Sequence, residues 1–231
     1  MHGLAGTRGT WDGVERHLPR ERYRSLALDL PGHGRLADAP RPLTFDGCVQ
    51  SVLERSPERL VLVGYSMGGR IALHVALAAP ERIVKLVLVS TTAGIDDPVD
   101  RTQRRDADHR LAGEIEDGTI ADFVDRWRSQ AMFEEDPPEV GALARADQSR
   151  NRPDSVAAAL RGIGTGEMPP LWQRLGELTM PVTVLVGVRD AKFRMLGERM
   201  VGLLPEARLL MAPGGHVLPL ENPQAVAGAI S

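Results

Sequence analysis

The 231-residue chain is 42% apolar and 26% charged, with a net charge of −3, the composition of one globular domain or of one domain with a sizeable insertion rather than of a disordered chain. No apolar run approaches the ~18 residues that suggest a membrane-spanning helix, and the slightly acidic balance gives no footing for a nucleic-acid partner. Cys48 is the only cysteine, which excludes an internal disulfide framework and a cysteine-based zinc site.

At the N-terminus, Met1-His2-Gly3-Leu4-Ala5-Gly6 has no basic region followed by an apolar core. No secretory leader is therefore expected, and the cytoplasm is the expected compartment. Ser25–Leu30 is an apolar run closed by Pro31-Gly32-His33-Gly34, which predicts a buried strand and a tight turn. Thr44 caps a helical pattern with Phe45, Cys48, Val49 and Val52 on one face. Arg59–Gly64 reads as a second buried strand. Gly69–Ala79 follows as a helix with Ile71, Ala72, Val75 and Ala76 inward, stopped by Pro80, and Ile83–Val89 is a third strand. Met180–Val186 and Ala207–Met211 are the fourth and fifth. Such β-branched and leucine runs separated by helices predict an α/β fold, its mostly parallel sheet covered by helices on both faces.

Residues 93–178 interrupt this rhythm. They hold no strand-like run, and their apolar residues recur at helical spacing: Leu111 and Ile115; Ile120, Phe123, Val124 and Trp127; Val140, Leu143 and Ala144; Val156, Ala159 and Leu160. The expected organisation is a core of residues 1–92 and 179–231, with 93–178 as a helical cap over the carboxyl edge of the sheet.

Gly64-Tyr65-Ser66-Met67-Gly68-Gly69 fits the G-x-S-x-G pattern and lies between a predicted strand and a predicted helix. A serine on so sharp a turn projects its hydroxyl above the sheet, and the crowded backbone needs glycine at 64 and 68. The start of a helix also favours developing negative charge there. In this architecture the acid and the base follow the serine in the order Asp, His. Asp190, after the strand ending at Val186-Gly187, and His216, in Pro213-Gly-Gly-His216, occupy the expected loops. His17, His33, His74 and His109 are weaker candidates, lying on charged helical stretches, inside the elbow helix or in a glycine-flanked turn. His2-Gly3-Leu4 reads as a turn that presents the Leu4 amide to an oxyanion beside that of Met67, with His2 structural. The strand that would deliver His2-Gly3 to mid-sheet, between Ser25–Leu30 and the strand at 59–64, has no counterpart in the sequence. Codons upstream of Met1 are expected to encode it.

In these residues the chain resembles the α/β-hydrolase superfamily. Within it the chain is similar to the 2-succinyl-6-hydroxy-2,4-cyclohexadiene-1-carboxylate synthases of menaquinone biosynthesis, from His2 to about Ala227. Asp29-Leu-Pro-Gly-His-Gly34 and the elbow are common to much of the superfamily. Arg70 after the elbow, Asp190-Ala-Lys-Phe193, Arg104-Arg105-x-x-Asp108 with Leu111-Ala112, and Leu160-Arg-Gly-Ile-Gly-Thr-Gly166 followed by Pro170-Leu171-Trp172 are narrower. The resemblance implies a lyase that expels pyruvate from an enolpyruvyl cyclohexene bearing a succinyl group. Ser66, His216 and Asp190 would act as the base, with no metal and no organic cofactor. It also implies an anionic small-molecule partner, with Arg70 and Arg104 binding carboxylates and Tyr65, Trp127 and Lys192 lining the site.

Plainer readings stand beside these. Arg70 could be an exposed helix arginine, Arg104 part of a solvated face within Arg101–Arg110, Trp127 ordinary cap core and Lys192 solvated. The sequence departs from the family at Arg35-Leu36 after Gly34, at Pro219, where a second histidine is common, and at Gln148, where a second cap arginine is expected. Arg145, Arg150 and Arg152 lie near that last position. Two other functions compete: a serine hydrolase acting on an ester or thioester of a small anionic substrate, and a non-catalytic hydrolase-like protein.

Overall fold

Four parallel strands in the order β1-β2-β3-β4 form the sheet of the computed structural model, which describes residues 1–231. They are β1 (Leu60–Tyr65), β2 (Ile83–Val89), β3 (Val182–Gly187) and β4 (Ala207–Ala212). Helices α1 (Asp12–His17) and α2 (Phe45–Arg55) precede β1, and α3 (Met67–Ala78) joins it to β2. Between β2 and β3 lie α4 (Pro98–Asp117), α5 (Ile120–Arg128), α6 (Pro138–Gln148) and α7 (Pro153–Ile163). Helix α8 (Ala191–Val201) joins β3 to β4, and α9 (Leu218–Glu221) and α10 (Pro223–Ile230) follow. No helix is long and apolar enough to cross a membrane.

Strand alternation divides the core in two. Leu62, Leu86, Leu88, Val182, Val184 and Val186 face one side, where α2, α3 and α8 pack. Tyr65, Val87, Val89 and Leu185 face the other, against α1 and α10. Between β2 and β3, α4 lies along α7 and shares a separate small core with α5, built on Ala112, Ile115, Phe123, Val124, Val156 and Leu160. Thr44 caps α2 by accepting the Gly47 amide at 3.0 Å, and Thr119 and Asp122 form a capping box at the start of α5.

One expectation needs correction. Ser25–Leu30 is not a strand: the segment is extended but pairs with no neighbour, so the sheet has four strands. Its apolar character is used in packing instead, with Leu28 and Leu30 against one core and Ala27 against the other. Only Met1 meets the outer edge of β1, donating to Val63 O at 2.7 Å and accepting from the Tyr65 amide at 3.0 Å. Below it a groove lined by Trp11, Leu28, Leu60 and Leu62 separates β1 from the extended segment. Leu143 is exposed. Helix α6 instead buries Val140, Ala144 and Gln148, a stripe at i, i+4 and i+8 that leaves residue 143 outside.

Helix α7 seats on the core through a contact that allows no side chain. A Cβ on Gly162 would overlap the Leu43 carbonyl, 2.7 Å from its carbon. Gly162→Ala should therefore destabilise the protein by about 1–3 kcal/mol, lowering the melting temperature by roughly 2–12 °C. Gly113→Ala, on the open face of α4, should cost nothing measurable or stabilise slightly; thermal unfolding followed by circular dichroism compares the two.

Candidate active site

Ser66 sits at the tip of the β1–α3 turn with φ 51°, a left-handed conformation that a non-glycine residue adopts only where its surroundings hold it. The surroundings do. The Ser66 amide donates to Val89 O at 2.9 Å, and the Thr91 hydroxyl donates to Ser66 O at 2.7 Å. A Cβ on Gly64 would stand 2.6 Å from the Gly68 carbonyl carbon, and one on Gly68 would stand 2.6 Å from His2 O. The helix therefore begins two residues earlier than its apolar spacing predicts, at Met67.

His216 and Asp190 arrive on two loops laced together. The Arg189 amide donates to Gly214 O and the Val188 amide to Ala212 O, both at 3.0 Å, and a Cβ on Gly187 would collide with residues 214–215. His216 Nδ1 lies 2.7 Å from Asp190 Oδ2, and Nε2 lies 3.2 Å from Ser66 Oγ. His216 and Asp190 are buried while Ser66 stays partly accessible. The rings of Phe193, Tyr65 and Phe133 pack around the imidazole, with centroids at 4.5, 5.4 and 6.0 Å. Burial, and then the nearby Asp136 and Asp190, push the Tyr65 phenol up, so it stays protonated.

The His2-Gly3 turn is held by two imidazoles. His2 Nε2 accepts the Leu30 amide at 3.0 Å while its Nδ1 meets Gly3 O at 2.8 Å; His33 Nε2 accepts the Ala5 amide at 3.1 Å while its Nδ1 meets Pro31 O at 3.2 Å. Each ring thus carries its proton on Nδ1 and is neutral. His33, weighed only as a weak catalytic candidate from the sequence, is structural. Asp29 accepts the Arg8 and Arg35 amides at 2.8 and 3.1 Å, tying the same turns together. The Leu4 and Met67 amides donate to no acceptor within the protein, leaving both free beside Ser66.

Ser66, His216, Asp190, Leu4 and Met67 open on one cavity of about 690 Å³. Arg70 and Arg104 line it, as do Tyr65, Trp127 and Lys192. Arg70 is buried, not exposed: it donates to Ile163 O at 2.8 Å and lies over the Phe45 ring. Burial, then the neighbouring Arg104, lowers its pKa to about 10, so it remains charged at neutral pH. Arg104 donates to Asp108 at 2.8 Å and is partly exposed. Sequence reasoning missed Arg128, Phe133 and Arg199, which also line the cavity. Their spacing carries no signal, because loops and helix ends bring them there. Arg145, Arg150 and Arg152 do not replace Gln148: Arg145 and Arg152 pair at the surface with Asp125 and with Asp38 and Asp154, and Arg150, itself exposed, lies 3.7 Å from Asp147. No group of three or more His, Cys, Asp or Glu side chains is placed to hold a metal ion.

Residues 1–229 match the model of a family described as alpha/beta hydrolase. The chain is 33% identical to a 2-succinyl-6-hydroxy-2,4-cyclohexadiene-1-carboxylate synthase of Pectobacterium atrosepticum, covering 98% of this chain and 89% of that protein. It is 30% identical to a pimeloyl-(acyl-carrier protein) methyl ester esterase of Nitrosomonas europaea, covering 97% and 90%. Among solved structures, MenH from S. aureus superposes with a TM-score of 0.89 at 30% identity, over 100% of this chain and 90% of that one.

The buried imidazoles have a consequence for stability. Burial, and then the neighbouring His33, holds the His2 pKa well below its ordinary value, and burial holds that of His33 at about 4. An unfolded imidazole titrates near about 6.5, so on acidification the unfolded chain binds protons first. Stability from these groups is complete above about pH 6.5 and falls as the pH drops towards about 4. The melting temperature should therefore fall between pH 7 and pH 5, and His33→Gln should start lower and fall less.

Proposed function

The chain belongs to the alpha/beta hydrolase family, and from that premise we propose that it is a carbon–oxygen lyase of menaquinone biosynthesis. It eliminates pyruvate from a succinyl-, enolpyruvyl- and hydroxy-substituted cyclohexene carboxylate to give 2-succinyl-6-hydroxy-2,4-cyclohexadiene-1-carboxylate. One observation carries the reading. The Ser66–His216–Asp190 chain, with hydrogen-bond separations of 3.2 and 2.7 Å, faces a cavity walled by Arg70, Arg104 and Lys192. Such cations suit a substrate with three carboxylates and suit an apolar acyl chain poorly. The similarity to the Pectobacterium atrosepticum synthase along nearly the whole chain supports the same reading.

In this reaction Asp190 orients His216, which takes the Ser66 proton on Nε2. Ser66 Oγ removes the ring proton beside the succinyl carbonyl, and the Leu4 and Met67 amides stabilise the charge that develops on the carbonyl oxygen. The electron pair forms a ring double bond as the bond to the enolpyruvyl oxygen breaks. The released enolpyruvate takes up a proton and becomes pyruvate. Ser66 acts as a base and is never acylated, and the balance draws on no metal or organic cofactor. Arg70, Arg104 and Lys192 hold carboxylates, while Tyr65 and Trp127 flank the ring.

A second reading, a serine hydrolase of a small anionic ester or thioester, uses the same groups with Ser66 as covalent nucleophile. The likeness to the Nitrosomonas europaea esterase favours it. The two separate in one assay. On the enolpyruvyl substrate the purified protein should release pyruvate, Ser66→Ala should lower kcat by about a thousandfold or more, and p-nitrophenyl esters should turn over poorly. Fast ester hydrolysis without pyruvate release would replace the lyase by the hydrolase.

A further inference from the structure

Arg128 ends helix α5, and its side chain is only 4% exposed although it lies on the cavity wall. Its one hydrogen bond runs from Nη2 to Asp136 Oδ2 at 2.6 Å. Asp136 is equally buried, with 3% of its side chain exposed, and does not line the cavity. The guanidinium carbon lies over the Phe133 ring, 4.4 Å from its centroid, and that ring meets His216 edge-on at 6.0 Å. Arg128 is therefore clamped from behind and from one face, on the His216 side of the cavity. A guanidinium offers five N–H donors, and a donor withdrawn from water without a partner is costly. Because Arg128 lines the cavity, the donors that Asp136 leaves free are available to a substrate there.

From this arrangement we infer that Arg128 is a carboxylate-binding residue, anchoring an anionic end of the substrate on the wall carrying His216. The inference rests on the lyase reading for the substrate's three carboxylates. Arg70 and Arg104 are near enough to each other for Arg104 to depress the Arg70 pKa, so they make one cationic cluster, and Arg128 makes another beside the base. Gln148, which stands where a cap arginine is expected, lines the same cavity with a neutral amide whose Oε1 has no partner. Arg128 supplies the charge that position lacks. Arg199 is the other cavity arginine, but its side chain is half exposed, paired with Asp96 and stacked on Trp172, so it belongs to the solvated mouth. Asp136 fixes the orientation of the Arg128 fork and balances its charge while the site is empty.

Calorimetric titration with propane-1,2,3-tricarboxylate tests this without turnover. Arg128→Gln should weaken binding about tenfold or more, and Arg128→Lys, which keeps the charge and loses the fork, should weaken it less. Asp136→Asn removes the balancing charge and leaves an acceptor, so it should bind the tricarboxylate as well as wild type or more tightly. A pair that merely braces the fold predicts otherwise: both substitutions lower the melting temperature and move the Kd together. Arg128→Gln binding within twofold of wild type overturns the inference, as does Asp136→Asn weakening as much as Arg128→Gln, or a wild type that does not bind the probe. If Arg128→Gln does not fold, Arg128→Lys binding like wild type together with weaker binding by Asp136→Asn overturns it. In the pyruvate assay Arg128→Gln should raise KM at least tenfold and change kcat little. Wild type that binds the probe with this pattern yet releases no pyruvate refutes the lyase reading and leaves the anion-binding role of Arg128 standing.

Discussion

The site depends on one crossing of backbone segments that leaves no room for a side chain. Gly64 faces the Gly68 carbonyl, Gly68 faces the carbonyls of Met1 and His2, and Gly69 lies against Thr91. These contacts pin the elbow between the His2 turn on one side and the loop after β2 on the other. Holding Ser66 at φ 51° costs about 1–3 kcal/mol, and the hydrogen bonds to Val89 and from Thr91 help offset it. The same crossing brings the His2-Gly3 turn beside the elbow, so the Ser66 hydroxyl and the free Leu4 and Met67 amides come together as one consequence of packing.

Local rules made the elbow, the loops that carry Asp190 and His216, and the alternation of β1 to β4 with helices legible in the sequence. Each rests on short-range chemistry: glycines at forced contacts, apolar runs and turn residues. Ser25–Leu30 shows where such rules end. An apolar run reports burial, and here burial occurs without a ladder, because strand identity requires a partner that periodicity does not supply. His33 and Arg128 were hidden because their roles depend on partners far away in sequence or on loops, Ala5 for the first and the Phe133–Asp136 segment for the second.

Arginine supplies nearly all the positive charge, but its residues are not equivalent. Those paired at the surface, such as Arg152 with Asp38 and Asp154 or Arg174 with Glu177, sit in high dielectric, where an ion pair contributes about 0–1 kcal/mol. Arg70 is different. It is buried, lies over Phe45 and satisfies a single carbonyl, so it retains both charge and donors in a place with little competing water. Burial that lowers its pKa to about 10 still leaves it cationic at neutral pH. A charge kept under those conditions interacts with an incoming carboxylate far more strongly than the same group would in solvent.

The triad and the two free amides do not choose between elimination and hydrolysis, since both reactions place a serine oxygen near a carbonyl and both develop charge on its oxygen. Under the lyase reading, the surroundings of His216 favour elimination. A hydrolase must bring water to His216 for the second half of its cycle, and here Phe193, Tyr65 and Phe133 pack around that imidazole, crowding its approaches. An elimination needs no water at the base, only a proton held between Ser66 and His216 until the leaving group accepts one. Under the lyase reading, the rings around His216 and the cations that line the same cavity serve one requirement. Under that reading they would fix a polyanionic ring with its acidic carbon at Ser66.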